Sequence, residues 1–572
     1  MTLPISSVPM KKIKKPSLAL TLSAAGLLIG GGAVAYWLFN QVQPFSRNLL
    51  VGANIIPQDA LFAVSLTTDP KQWQKLQEFG TKETQTLVNQ NLLQLRDRFL
   101  TNHGYNFEKD IQPWVGDEVT LAILTPDFSK SAAKPVSTAE AVTSQQSMVM
   151  VLPVDNLEKA KSILTQPKST NSGKWSEYNY QGITIKQSQG QTGGNFSAAL
   201  IDNRFLVITD SSKVAEKTID AYKSKTTLVN TGGFADNFSK IASYKPLAQF
   251  YLNVPNAAKI ASVAPNRALP AQVLAQLQNN QGLAGTLTLE PEGIRIKGVS
   301  WLNPRSQRVL TVENNAGTMQ NRVPVETIMM LSGGNLQRLW SDYVLTSKGN
   351  PLAPIPPEQL RSGVKSLTNL DLEQDLLKWM KGEYAVSLIP GTPKPNSPDN
   401  FRAALVLMIQ AKDRQQAEAS IKQLDDVMKN QYQFQIQPAT VAGKPVVNWI
   451  SPFGTLTATR GWLDDDVAFL SIGAPITEKI LPKPNNTLAD SSAFQQSVPD
   501  EPNPTNGQFY LDVEQTAKNF PLPALIPQQQ TLLQATRSIG VTSAVSDNRS
   551  TRYDILLTLK KGDNSAAVTS SR

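Results

Sequence analysis

Cysteine is absent from the 572 residues, and histidine occurs once, as His103. The first absence removes disulfides, thiolate metal sites, thiol nucleophiles and any cysteine on which a bacterial lipid anchor could be built. The second rules out two-histidine metal sites and an H-E-x-x-H helix, and leaves any Ser-His-Asp triad a single residue to draw on. His103 lies in the turn-like stretch Thr101-Asn102-His103-Gly104-Tyr105, and no G-x-S-x-G elbow occurs, so it reads as a loop residue. The expectation is therefore a chain that is not an enzyme, with no catalytic residue, no metal ligand and no cofactor. A strong charge bias is missing too. Lys and Arg number 55 against 46 Asp and Glu, a net +9. Four of those positive charges sit in the first sixteen residues, and the remainder, spread over the rest of the chain, is no footprint for nucleic acid.

Charge is absent altogether between Ser17 and Phe39, as is proline. A helix over residues 17–39 would be roughly 34 Å long at about 1.5 Å per residue, enough for a hydrocarbon core of about 30 Å. Lys11, Lys12, Lys14 and Lys15 precede this run, whereas the stretch from Asn40 to Gln58 carries only Arg47. That bias predicts a cytoplasmic tail over residues 1–16, a single-pass transmembrane helix over 17–39, a linker over 40–50 and an exported remainder in the periplasm or thylakoid lumen. Cleavage after Ala35, in Ala33-Val34-Ala35, is the alternative, and it exports the same residues. Gly26 and Gly30 form a G-x-x-x-G through which two such helices can approach, so a dimer through the membrane helix joins the bilayer among the expected partners.

Beyond the anchor the chain repeats itself. Ile56-Pro57-Gln58-Asp59-Ala60-Leu61-Phe62-Ala63-Val64 is echoed by Val323-Pro324-Val325-Glu326-Thr327-Ile328-Met329-Met330-Leu331. Trp73 answers to Trp340, Trp114 with Glu118 to Trp379 with Glu383, Asp155 to Asp413, and Gln249-Phe250-Tyr251-Leu252 to Gln508-Phe509-Tyr510-Leu511, at offsets of 267, 265, 258 and 259. Ordered blocks with so little drift point to two tandem lobes, residues 51–314 and 316–561, followed by a disordered tail over 562–572. Each lobe reads as α+β. Strands are expected at Ala60 to Leu66 and Glu118 to Leu124, a helix behind the Asp69 cap with Trp73, Leu76 and Phe79 inward, and a helix from Thr84 to Leu100. A helix around Ala271 to Gln278 leads to a final hairpin, Leu283 to Glu290 with Gly293 to Trp301. Short turns between strands predict a largely antiparallel sheet with packed helices.

Several motifs tempt without carrying chemistry. Asp464-Asp465-Asp466 resembles an acidic metal cluster, but it aligns with Asp202-Asn203 between two strands, where a hairpin turn wants these residues. Ser131-Ala132-Ala133-Lys134, Lys225-Thr226-Thr227 and Ser546-Asp547-Asn548 mimic the motifs of penicillin-recognising enzymes in the wrong order. Gly333-Gly334-Asn335 reads as a helix cap. Trp73, Trp114, Trp340 and Trp379 read as recurring structural residues of the core.

The anchor, the opening Ile56-Pro57-x-Asp59-Ala60, then Thr68-Asp69-Pro70-x-x-Trp73 and Pro113-Trp114-Val115-Gly116-x-Glu118 together resemble the membrane-anchored cyanobacterial proteins grouped as domain of unknown function 3352. The resemblance implies an envelope or thylakoid setting and carries no catalytic residues with it. The functional expectation is a non-enzymatic scaffold or assembly factor with protein partners. A carrier holding a lipid or pigment in a sheet-helix groove and a carboxylate-based hydrolase are the alternatives.

Overall fold

The computed structural model describes residues 49–101, 104–125, 147–165, 172–190, 195–263, 279–347, 356–392, 401–464, 466–519 and 533–562. The expected membrane helix, the basic tail, His103, Asp465, the helix at 271–278 and nearly all of the C-terminal tail lie outside them. Among the described residues no helix is long and apolar enough to cross a membrane.

Twenty strands form one antiparallel sheet among the described residues. The first ten are β1 (Ala60–Thr67), β2 (Glu118–Leu124), β3 (Met148–Pro153), β4 (Ser172–Tyr180), β5 (Ile183–Gly190), β6 (Asn195–Ile201), β7 (Phe205–Thr209), β8 (Ala248–Asn253), β9 (Asn280–Glu290) and β10 (Gly293–Leu302). The second ten are β11 (Met329–Gly333), β12 (Tyr384–Pro390), β13 (Ala403–Gln410), β14 (Gln435–Val441), β15 (Lys444–Ile450), β16 (Leu456–Trp462), β17 (Val467–Gly473), β18 (Gly507–Asp512), β19 (Thr536–Asp547) and β20 (Ser550–Leu559). From one edge, pairing runs β4, β5, β6, β7, β3, β2, β1, β8, β9, β10. It crosses to β20 and continues β19, β18, β11, β12, β13, β17, β16, β15, β14. Read from its own outer edge, the second ten follow the order of the first. The crossing pairs Gly293 with Thr558 at one end, Lys297 with Asp554 in the middle and Trp301 with Ser550 at the other.

Alternation along the strands supplies a buried face on both sides. In the first half Phe62, Val64, Leu121, Ile123, Met150 and Phe250 face one core, closed by Leu100, Ile111 and Trp114. Ala63, Ala122, Val151, Val207 and Tyr251 face the other, closed by Ile55, Ile56, Ile219, Phe234 and Phe238. The helices follow from local signals. Asp69 accepts from the Lys71 N–H at 3.0 Å and Pro70 opens the helix Pro70–Leu76. Phe79, expected inside this helix, lies beyond its end and makes a β-bridge to Lys561. A π-helical turn, Phe107–Ile111, leads to Trp114 and is answered by Leu372–Leu376 in the second half. In each, a carboxylate reaches back to the capping N–H: Asp110 accepts from Asn106 and Asp375 from Asp371, both at 2.7 Å.

The halves differ in where their long helices lie. The helix after β3 has nine residues, Leu157–Thr165, and the one after β13 has nineteen, Arg414–Tyr432. Following β7 the relation inverts, with Ser212–Ser224 against Thr477–Ile480. The edge hairpins are braced accordingly. Tyr178 and Tyr180 donate to Glu216 (2.7 Å) and Asp220 (3.0 Å) of the helix Ser212–Ser224. In the second half, Asp425 of the long helix accepts from the Trp449 indole at 2.8 Å and from Arg460.

Candidate functional site

The candidate site is the seam where β10 meets β20. Leu287, Leu289, Ile294 and Ile296 point into one core, so Arg295 and Lys297 project from the opposite face, which they share with Val299 and Trp301. Arg295 donates from Nε to Asp554 Oδ1 at 3.0 Å and from Nη2 to Oδ2 at 2.8 Å, a forked pair between the two halves. The Asp554 side chain is 4 % exposed and that of Arg295 28 %. Burial pushes the Asp554 carboxyl above its usual range although Arg295 pulls it down, whereas the bond to Asp554 holds Arg295 more firmly charged. The direction at Asp554 governs the energetics, because its burial is the deeper: the pair offsets only part of the desolvation cost.

Two grooves border the β9–β10 turn. One, about 700 Å³, is lined by Glu292, Asp512 and Glu514 against Arg537, Lys560 and Lys561, so its charges balance. Its floor is a chain of buried hydroxyls. Ser497 and Ser538 lie 2.6 Å apart, Ser538 contacts Thr558, and Ser497 donates to the Ala493 carbonyl at 2.5 Å. Burial raises the Asp512 pKa, and its carboxylate caps the helix Val513–Asn519 by accepting from the Gln515 N–H at 2.8 Å. These groups are committed to one another and to the main chain.

The second groove, about 660 Å³, lies between the helix Pro70–Leu76, the loop before β8 and the seam. Lys71, Lys75, Lys245, Arg295 and Lys297 line it, against Asp69 and Glu290. With Arg295 held by Asp554 the lining retains four ammonium groups and two carboxylates, and one of those carboxylates is a helix cap. Tyr244 stands at its rim, 87 % exposed. Lys245 takes a left-handed backbone conformation, φ 44°, its carbonyl accepting from Gln72 Nε2 at 3.2 Å.

The residues singled out in the sequence do not converge on this seam. Lys11, Lys12, Lys14, Lys15, Gly26 and Gly30 lie outside the described residues. Trp114 and Trp379 are buried in the cores of the two halves, and Trp73 and Trp340 pack against them half-buried. Their indole N–H groups go different ways, Trp73 to the Thr67 carbonyl and Trp340 to Glu373, both at 2.9 Å. Asp202 and Asn203 form the β6–β7 turn with positive φ, 55° and 53°. Asp464 pairs with Arg322, and Asp466 accepts from Gln410 at 2.7 Å. Among the described residues no group of three or more His, Cys, Asp or Glu is placed to hold a metal ion. Asn335 caps the next helix by accepting from the Arg338 N–H at 3.0 Å.

Sequence reasoning marked Glu383 only as a repeat position and missed its role. Glu383 is 4 % exposed and accepts from the N–H groups of Gly317 (2.7 Å), Thr318 (2.8 Å) and Met319 (3.2 Å) and from the Thr318 hydroxyl. It thereby pins the segment connecting the halves. Glu383→Ala should lower stability by about 2 kcal/mol, the worth of charge-assisted bonds lost less the access regained by water. The urea midpoint checks this, together with faster amide exchange at 317–319; an unshifted midpoint would mean that water replaces the carboxylate at no loss.

The seam and the grooves define an α+β protein organised on one continuous antiparallel sheet. The chain belongs to the family described as protein of unknown function (DUF3352), whose profile matches residues 21–559. No curated protein matches it. Among solved structures, crystal form III of TP0453 is similar at 13 % identity and TM-score 0.23, over 44 % of this chain and 80 % of that one. Crystal form IV gives 11 % and 0.23, over 46 % and 82 %. A likeness that loose carries no argument here.

Proposed function

We propose that this chain is a membrane-anchored, exported scaffold or assembly factor, built of two tandem lobes that arose by duplication. The observation that carries the reading is the sheet itself: two sets of ten strands in the same order, joined edge to edge through β10 and β20 into one continuous platform with polar grooves at the join. Such a platform offers a broad, fixed surface. The duplication is supported further by the paired π-helical turns and their repeated carboxylate caps. The anchor rests on the uncharged run 17–39 and the lysines before it, and a cyanobacterial periplasm or thylakoid lumen is the proposed compartment.

Two experiments test this. Protease added to the outer face of right-side-out vesicles should degrade the bulk of the chain, and protease on the cytosolic side should spare it; the reverse pattern overturns the topology. Mild solubilisation followed by affinity purification should recover a reproducible set of protein partners. Repeated recovery of the chain alone would defeat the scaffold reading.

A further inference from the structure

We propose that the lysine-lined groove at the seam binds an acidic, carboxylate-rich segment of a protein partner. The proposal rests on the scaffold reading and names the chemistry of what is scaffolded. Three features of the groove point there. First, its charge is unbalanced in a way its neighbour's is not. Lys71 and Lys75 on the helix Pro70–Leu76, Lys245 on the loop and Lys297 on β10 face one groove, drawn from three elements distant in sequence. None of the four makes an ion pair among the described residues, and the Lys245 ammonium lies over the Tyr244 ring, 5.5 Å from its centroid. Against them stand Asp69, which serves as a helix cap, and Glu290, which accepts from Thr288 at 3.4 Å.

Second, the rim is held in an unfavourable arrangement. A lysine at positive φ costs on the order of 1 kcal/mol, and a tyrosine left almost wholly in water forfeits the burial its ring would gain. Gln72 bonds across to the Lys245 carbonyl, so the helix that carries Lys71 and Lys75 also holds the rim in place. Third, Lys297 on β10 is half-buried and forms the deeper part of the groove lining, its floor, whereas Lys71, Lys75 and Lys245 are exposed at its rim. An extended peptide can lay carboxylates against floor and rim together while its backbone crosses the Tyr244 ring. A flat bilayer surface reaches the rim lysines and not the floor, so the floor residue separates the two sources of negative charge.

The test uses the full chain in micelles of an uncharged detergent, with a fluorescent oligo-glutamate peptide as probe. Anisotropy should report saturable binding that weakens as salt rises. Lys71→Gln, Lys75→Gln and Lys245→Gln together should weaken it by about tenfold or more, and Lys297→Gln alone by roughly threefold. A control pair on the helix Arg414–Tyr432, Lys422→Gln with Lys429→Gln, should leave it within about twofold. Urea midpoints of all variants, expected within about 0.5 kcal/mol of the parent, establish that each is folded. No binding, or equal loss in the control pair, overturns the proposal. Lysine-dependent binding of phosphatidylglycerol vesicles that Lys297→Gln leaves intact, without peptide binding, also overturns it and assigns the rim to a membrane surface. If the peptide fails to bind while partners still co-purify with parent and triple variant alike, the scaffold reading stands and this site for it does not.

Discussion

Arg295→Ala should destabilise the protein by about 3 kcal/mol at neutral pH. The reason lies less in the bond removed than in what stays behind, a carboxylate at Asp554 that is 4 % exposed and without its forked partner. The loss should depend on pH. Burial already raises the Asp554 pKa, and removing the guanidinium raises it further. An aspartate whose folded pKa lies above its unfolded value binds more protons folded than unfolded, so its contribution is most favourable in acid and declines as pH climbs between the two. The deficit of the variant should therefore be full at about pH 7 and shrink towards about pH 4, where Asp554 is neutral in the folded variant. Urea titrations at both pH values check this. A deficit independent of pH would mean that packing of the arginine stem, not the stranded charge, sets the loss. Replacing both residues by apolar ones of similar volume should recover most of it.

Gly540→Ala should cost a similar amount, about 3 kcal/mol, through backbone rather than charge. Gly540 pairs with Tyr510 on β18 and Leu556 on β20, and a Cβ there would run into the carbonyl of Ser497, at the end of the helix Ser492–Ser497. That helix end cannot step aside freely, because Ser497 is tied to Ser538 at 2.6 Å. The contrast is Gly363, inside the helix Pro357–Thr368 with nothing within 4 Å of an added Cβ. Gly363→Ala should stabilise by up to about 1 kcal/mol. Urea midpoints moving in opposite directions would confirm the pair, and equal shifts would refute the close approach at Gly540.

Local structure was largely legible in the sequence because its signals are local. Asp69 before Pro70 announces a helix start, Asp202-Asn203 between apolar runs announces a hairpin, and the apolar runs mark β1 and β2 to within a residue. Helix lengths were less legible where packing sets them: Phe79 looks like the third turn of a helix by spacing, but its backbone is taken by Lys561 at the far end of the chain. The seam left no readable trace. Pairing of β10 with β20 joins residues about 257 apart, and nothing in Arg295 or Lys297 advertises Asp554 as a partner. The groove was hidden for the same reason, since Lys71, Lys245 and Lys297 look like ordinary surface lysines until three elements meet. Glu383 was visible as a recurring position, but its partners are main-chain N–H groups, which carry no side-chain signature.

That the closing strand β20 is also the last regular element among the described residues has a consequence during synthesis. When β10 has emerged, its outer edge stays bare until β20 follows, roughly 250 residues later, or on the order of tens of seconds at typical ribosomal rates. A bare strand edge is a template for any neighbouring nascent chain, above all one with the same sequence. Every copy thus passes through a vulnerable interval in which a sister molecule competes with its own tail for the same row of hydrogen bonds.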